Sequence, residues 1–369
     1  RRHKSRPLIS SCSFRTVLDG RLVGKKERKS AEHIMASRRQ LLFGLCVCVM
    51  ICYVILTHRV VFKPYVQPVP RQIRKAVLVQ LGSVKNISKL RQELLCKLKR
   101  NVPFSTITRA QASRDGNRSV LSEKSLEKLV HFNSCAVVSS SHALKLHTYG
   151  QEIDSHDAVL RFNCAPTHTF EQFVGNRTDI RLINTKIPQK ACRQEFWSEN
   201  STMFKHAAIV IRNMNAINLE GEKIDAKHDR FHSFTNWIKY RKTYPNRTLP
   251  FILRPEFGRD IQAELTQFCN TTRLCKKPRS SPSTGMFGVV MMLHLCDWVH
   301  VYELAPSNRD DTKLRYYFDE KKMRPSNGGR GHSYSQERVY VMTLSLTPEK
   351  DIEKSGVVLL KGFSQTQCE

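Results

Sequence analysis

CAVVSSSHALKLHTYGQEIDSHDAVLRFNCAPT, residues 135–167, sets two short apolar runs, Cys135–Val138 and Ala158–Asn163, on either side of a helix-length segment. A serine triplet, Ser139–Ser141, follows the first run, and an Asn163-Cys164 pair closes the second. Continuous rather than alternating apolar character marks strands covered on both faces. Four more such runs follow, at 179–184 (DIRLIN), 207–212 (AAIVIR), 249–254 (LPFILR) and 299–304 (VHVYEL), again with room for crossovers between them. The pattern predicts an α/β fold, a single three-layer domain. In such open sheets ligands bind at the carboxyl ends of the strands, where the serine triplet and Asn163 fall.

With 369 residues, 40% of them hydrophobic, the chain has ample core, and disorder of the whole is excluded. A formal charge of +29 raises a nucleic-acid reading. Much of that charge lies in the first forty residues, in runs such as Lys25–Lys29 (KKERK) and Arg38-Arg39. These precede LLFGLCVCVMICYVILT, Leu41–Thr57, an uncharged stretch at the short end of what spans a bilayer. No small-residue cleavage site follows, which favours an uncleaved signal anchor over a removed leader; the competing reading is a buried core helix. The basic flank predicts a cytosolic tail (1–40), the anchor (41–57), a proline-bearing stem (58–86) and a lumenal domain (87–369). A short span suits the Golgi membrane, as a single-pass type II protein. The sequons at Asn86, Asn117, Asn176, Asn200, Asn246 and Asn270 all lie beyond the apolar block. Anchor and sequons together argue against nucleic acid as a partner.

Of twelve cysteines, Cys12, Cys46, Cys48 and Cys52 belong to the tail and span, and an even number remains for the lumenal part, which reads as bridges. No C-x-x-C pair occurs among those, so zinc is disfavoured, and Cys269 and Cys275 are spaced like a small loop closure. From Ile87 to Arg100, apolar residues at 87, 90, 94, 95 and 98 keep helical spacing. Dinucleotide, P-loop and zincin motifs are absent, and neither Asp154–Asp157 (DSHD) nor Arg309–Asp311 (RDD) has a strand before it to make a metal-carboxylate grip. A second informative block is Ser281–Leu304, SPSTGMFGVVMMLHLCDWVHVYEL. There Pro282, Ser283, Thr284 and Gly285 open an apolar helix, as an anion site or as an ordinary N-cap.

Together, EIDSHDAVLRFNCAPT (152–167) with VGNRTDIRLIN (174–184), PSTGMFGVVMMLHLCD (282–297), YYFDEKK (316–322) and His332-x4-Glu337 resemble the four sialyl motifs of the eukaryotic sialyltransferases. The pattern is most similar to that of the beta-galactoside alpha-2,6-sialyltransferases and runs from about Cys96 to Cys368. The resemblance implies a Rossmann-like sialyltransferase variant of the GT-A fold and an enzyme that needs no metal. Its donor would be CMP-sialic acid, and its acceptors galactose-terminated glycans of glycoproteins or glycolipids. It implies bridges Cys135–Cys296 and Cys96–Cys368. It matches Ser140, Asn163 and Asn184 to the nucleotide part of the donor, Ser283, Thr284 and Gly285 to its carboxylate and phosphate, and Tyr316 to a further donor contact. His332 matches the catalytic base, an imidazole able to take the acceptor proton. Glu337 is read as orienting that segment, against the bland alternative of a solvated helix carboxylate.

The chain departs from the pattern in places. Arg315 and Ser326 stand where many relatives have a third bridge, Gly331 where the subgroup has an aromatic beside the histidine, and Lys186 where it has an acceptor-contacting amide. Cys164 replaces a glycine and either pairs with Cys192 or is simply buried. These departures leave two alternatives: alpha-2,3 transfer, or a binding protein that keeps the sugar-nucleotide pocket without catalysis.

Overall fold

Strand β1, Phe132–Val138, lies near the middle of a seven-stranded sheet. The computed structural model describes residues 86–111, 121–212, 233–247, 250–276, 281–305, 307, 314–322, 332 and 334–368. The tail, the anchor and all of the stem but Asn86 lie outside these, as do Asn117, Ser326 and Gly331. Among the described residues no helix is long and apolar enough to cross a membrane.

After β1 come β2 (Ala158–Phe162), β3 (Ile180–Asn184), β4 (Ala208–Arg212), β5 (Phe251–Ile252), β6 (Cys296–Tyr302), a separate hairpin of β7 (Leu314–Tyr316) and β8 (Asp319–Lys322), and β9 (Val357–Lys361). The longer helices are α1 (Ile87–Asn101), α2 (Ser233–Thr243), α3 (Pro255–Thr272), α4 (Thr284–Leu295), α5 (Tyr334–Leu344) and α6 (Glu349–Ser355). Strand order is β5-β4-β3-β2-β1-β6-β9, parallel throughout except for the antiparallel β6/β9 edge. All six apolar runs of the sequence contain strands; the run at 249–254 keeps only Phe251 and Ile252, and β9 and the hairpin are additions. The chain walks outward from β1 to β5 and then returns to lay β6 on the other side of β1. Such a reversal of direction opens a crevice at the carboxyl ends of the strands.

Alternate side chains go to opposite faces of each strand. Cys135 and Val137, Leu160 and Phe162, Ile180 and Leu182, and Val210 join one large core with α1, α3, α4 and α5. On the other face, Ala136, Val138 and Val159 belong to one cluster and Ile183, Ile209 and Ile211 to another. The seam between these clusters is polar. Arg161 and Arg181 are register partners on β2 and β3, both fully buried, and they bond chiefly to backbone carbonyls. Arg181 Nη1–H donates to the carbonyls of Asn163 and Ala165, both at 3.0 Å. Burial lowers the two guanidinium pKa values to about 10 and about 9, so both stay cationic at neutral pH.

Helix α4 is apolar nearly all round because it packs between the sheet and α3. A Cβ on Gly288 would lie 2.5 Å from the Phe162 ring and 2.8 Å from Leu160, so glycine is what lets α4 lie this close to β2. The helix passes into β6 without a loop, at Leu295-Cys296. It therefore runs antiparallel to the parallel strands and brings its N-terminus to their carboxyl ends.

Among the described residues four disulfides are formed: Cys96–Cys368, Cys135–Cys296, Cys164–Cys192 and Cys269–Cys275. Cys164 is thus a bridge partner rather than a lone buried thiol. Cys269–Cys275 staples the end of α3 to the turn after it.

Two imidazoles give the fold an acid limit. His294 donates from Nε2 to the Val102 carbonyl at 2.8 Å and packs edge-on against Phe363, and burial pulls its pKa from 6.5 to about 4. His300, edge-on to His156, is lowered to about 4 by burial and then by that neighbour. Both are neutral when folded and bind protons more readily when unfolded. Their contribution is therefore intact above pH 6.5 and is lost as pH falls from there toward 4. The thermal midpoint should fall through that window, and His294→Gln, which cannot titrate, should fall less steeply. A pH slope equal to the parent's would refute the assignment.

Candidate active site

Four successive strands, β1 to β4, end in or beside polar side chains. Ser139–Ser141 follow β1, Asn163 follows β2, Asn184 closes β3 and Arg212 closes β4. In the serine triplet the Ser139 hydroxyl accepts from Ser141 N–H at 3.1 Å, and the Ser141 hydroxyl accepts from Ala143 N–H at 3.3 Å. Ser140 has no hydroxyl partner among the described residues. Its carbonyl accepts from Tyr317 N–H at 3.3 Å, where the β7–β8 hairpin meets the end of β1 beside the isolated Ser141–Tyr316 bridge. The hairpin holds Tyr316 stacked on Phe318 at 5.2 Å, with the Arg315 guanidinium over the Tyr316 ring at 4.8 Å. Burial pushes the Tyr316 phenol up, Arg315 opposes this, and the phenol of Tyr334 adds to it, so the hairpin and the start of α5 share one electrostatic environment.

Asn163 sits at φ 46°, in the left-handed region that asparagine tolerates better than most residues. Its Oδ1 accepts from both the backbone N–H (3.1 Å) and the side-chain amide (2.9 Å) of Asn184. With the oxygen committed, the Asn163 amide group is left to donate. Asn184 Oδ1 accepts in turn from Lys186 N–H at 2.9 Å, and Lys186 itself is exposed.

Both sequence readings of the α4 start are realised, on different atoms. Ser283 is the N-cap: its hydroxyl accepts from Met286 N–H at 3.1 Å and donates to Glu337 Oε2, while its N–H donates to Glu337 Oε1 at 2.7 Å. Ser283 is 4% exposed, so its side chain faces the protein. The N–H groups of Thr284 and Gly285 have no backbone or side-chain acceptor among the described residues. They are the open donors of the first turn.

Glu337 is 1% exposed, which replaces the reading of a solvated helix carboxylate. Burial pushes its carboxyl up, while the Ser283 hydrogen bonds and then the nearby His332 ring and Arg212 guanidinium oppose that shift. Arg212, 4% exposed and not singled out by the sequence reading, lies over the Phe287 ring at 4.6 Å and donates from Nη1 to the Pro282 carbonyl at 3.1 Å. The only signal for it in the sequence is a cation at the end of an apolar run.

His332 meets the Ser281 carbonyl through Nδ1 at 2.8 Å. A carbonyl only accepts, so Nδ1 carries the proton and Nε2 presents its lone pair. The half-exposed ring of Tyr334 packs edge-on against it at 5.6 Å. Asn184 and Arg212 are register partners across β3 and β4, which ties the asparagine pair to the group around Ser281–Ser283. Sequence segments as distant as 140, 163, 284 and 332 are in this way linked along one end of the sheet. Among the described residues no group of three or more His, Cys, Asp or Glu side chains could hold a metal ion. The five described sequon asparagines, at 86, 176, 200, 246 and 270, are all exposed.

The sequence profile of glycosyltransferase family 29 (sialyltransferase) matches residues 85–347. Beta-galactoside alpha-2,6-sialyltransferase 2 of Danio rerio is 31% identical over 283 residues, 76% of this chain and 53% of that protein. The Homo sapiens protein of the same name is 33% identical over 286 residues, 75% of this chain and 51% of its own length. That of Gallus gallus is 34% identical over 282 residues, with coverages of 75% and 51%. The chain thus spans about half the length of the curated relatives it matches. A crystal structure of a mammalian sialyltransferase in complex with Gal-beta-1-3GalNAc-ortho-nitrophenol aligns at TM-score 0.37 and 20% identity, over 77% of this chain and 88% of that one.

The Ser283–Glu337 contact can be weighed directly. Ser283→Ala removes an N-cap, worth about 1 kcal/mol, and a hydrogen bond to a buried carboxylate, worth about 1.5–3 kcal/mol. Urea denaturation should show a loss of about 2–4 kcal/mol; a loss under about 0.5 kcal/mol would mean that Ser283 does not stabilise the Glu337 charge.

Proposed function

The chain belongs to glycosyltransferase family 29, the sialyltransferases, and from that premise we propose that it transfers sialic acid from CMP-sialic acid to terminal galactose of glycoprotein or glycolipid glycans, in alpha-2,6 linkage. The observation that carries this reading is the imidazole of His332, held through Nδ1 on the Ser281 carbonyl three residues before the open amides of Thr284 and Gly285.

The chemistry follows from that placement. A galactose hydroxyl attacks the anomeric carbon of the sialyl group and gives its proton to His332 Nε2. The bond from that carbon to the phosphate oxygen breaks on the opposite face, and the configuration inverts. Negative charge grows on the departing phosphate, and the α4 N-terminus supplies N–H donors and the positive end of a twelve-residue helix for it. Ser140 and the Asn163 amide are the donor-facing groups at the strand ends, Tyr316 covers them from the hairpin, and Asn184 acts by fixing the Asn163 carboxamide. Ser283 and Glu337 support the helix start from within the protein rather than touching donor. In this reading the reaction runs without a divalent metal. The address is the Golgi membrane, with residues 87–369 lumenal and Cys135–Cys296 and Cys96–Cys368 as the bridges that an oxidising compartment permits.

The full chain should sialylate a galactoside in the presence of a chelator. His332→Ala should lower turnover by about 10²–10⁴-fold while donor binding persists. Alanine at Ser140 or Asn163 should instead raise the donor KM; an unchanged donor KM would remove those residues from the site. Donor binding with no transfer by the parent chain would favour the binding-protein alternative, and a linkage-resolved product carrying alpha-2,3 sialic acid would overturn the linkage.

A further inference from the structure

Ser281, Pro282 and Ser283 are each held from a different element. The Ser281 carbonyl accepts from His332, the Pro282 carbonyl from Arg212 at the end of β4, and the Ser283 N–H and hydroxyl both donate to Glu337 on α5. The geometry of this segment makes the middle contact decisive. Pro282 has a fixed φ and no N–H, so the peptide unit between Ser281 and Pro282 has no hydrogen to anchor it. The next peptide unit is planar and carries the Pro282 carbonyl at one corner and the Ser283 N–H at the opposite one. Arg212 holds the first corner and Glu337 the second. One soft torsion, ψ of Pro282, then separates that clamped plane from the carbonyl on which His332 rests.

Arg212 is 4% exposed, its guanidinium lies over Phe287 at 4.6 Å, and its buried Nε–H has no partner among the described residues. A guanidinium kept in such a site with one donor unused is costly to stability. The contact it does make, on Pro282, is the one that bears on the segment's orientation.

We propose that Arg212 is a positioning residue for His332: by fixing the Pro282–Ser283 peptide plane it aims the Ser281 carbonyl, and so sets which imidazole nitrogen is protonated and where the other points. The same plane carries the N-cap of α4, so one guanidinium aligns the base with the helix start across from it. Calling His332 a base rests on the transferase reading above; the anchoring of its ring does not.

The test uses the full chain with Arg212→Met, which keeps an unbranched stem on Phe287 but no donors, and Arg212→Lys, which keeps the charge without the fork. Transfer kinetics are read beside ¹⁵N spectra of labelled histidines, with the His332 signal identified by its loss in His332→Gln. In Arg212→Met, kcat should fall by about 10–100-fold, because small misplacement of a reacting group is that expensive. The donor KM should stay within about threefold, and the Nδ1–H form of His332 should give way to a mixture of tautomers. Arg212→Lys should lie between Met and parent on both readouts, and carries the test if the Met variant does not fold. An unchanged tautomer with parental kcat per folded molecule would overturn the inference even if the thermal midpoint fell. A change confined to donor KM would overturn it too, by placing Arg212 on the donor. If the parent chain transfers nothing yet Arg212→Met alters the tautomer, the transferase reading fails and the anchoring by Arg212 stands.

Discussion

A carboxylate at 1% exposure persists in a fold only when its oxygens are filled by donors and opposite charge lies near, because an ion stripped of water and left unpaired costs several kcal/mol. Glu337 meets that condition with the N–H and hydroxyl of a single residue, Ser283, and with the more distant guanidinium of Arg212. The requirement propagates. Ser283 must sit at the first turn of α4, α4 must lie flat on β2 through Gly288, and α5 must present its buried face to the same point. The candidate site is thus assembled around a buried carboxylate held by Ser283, and the N–H groups of Thr284 and Gly285 in the same turn have no acceptor among the described residues.

A second polar device supports the same end of the sheet. Arg161 and Arg181 occupy interior positions where the other strand residues are aliphatic, and they spend their donors mainly on loop carbonyls rather than on carboxylates. The loops so held include Asn163 and Ala165 just after β2. A backbone at positive φ, as at Asn163, is stabilised by context rather than by its own preference, and the Arg181 fork provides that context. Removing loop carbonyls from the reach of solvent in this way gives the strand-end loop a fixed geometry, which the donor contact proposed for Asn163 requires.

Much of the architecture was legible because it rests on one signal. Doubly covered parallel strands must be continuously apolar, and the runs at 135–138, 158–163, 179–184, 207–212 and 299–304 could be little else. The run at 249–254 read longer than its strand since Arg254 and Pro255 begin a helix there, with proline in its first turn. β9 was passed over although Val357–Leu360 is itself a continuous apolar run; it follows the charged α6 and pairs antiparallel at an edge, where its burial alternates. At the candidate site, the strand-end positions of Ser139–Ser141, Asn163 and Asn184 were readable from the sequence. Those that act through other residues were not: the inward turn of Ser283, the burial of Glu337 and the placement of Arg212 depend on contacts 51 to 70 residues apart, which no local pattern encodes.

The clasp between Cys96 and Cys368 closes a span of 272 residues. A ribosome adding roughly 5–20 residues per second needs on the order of ten seconds to a minute to make that much chain. With the lumenal placement proposed above, the earlier thiol reaches the oxidising compartment through that interval while its mate has yet to be synthesised, and three other cysteine pairs emerge around it. Correct maturation therefore depends on timing as well as on sequence: α1 has to remain undocked, or be released from a wrong mixed disulfide by an isomerase, until the last strand arrives.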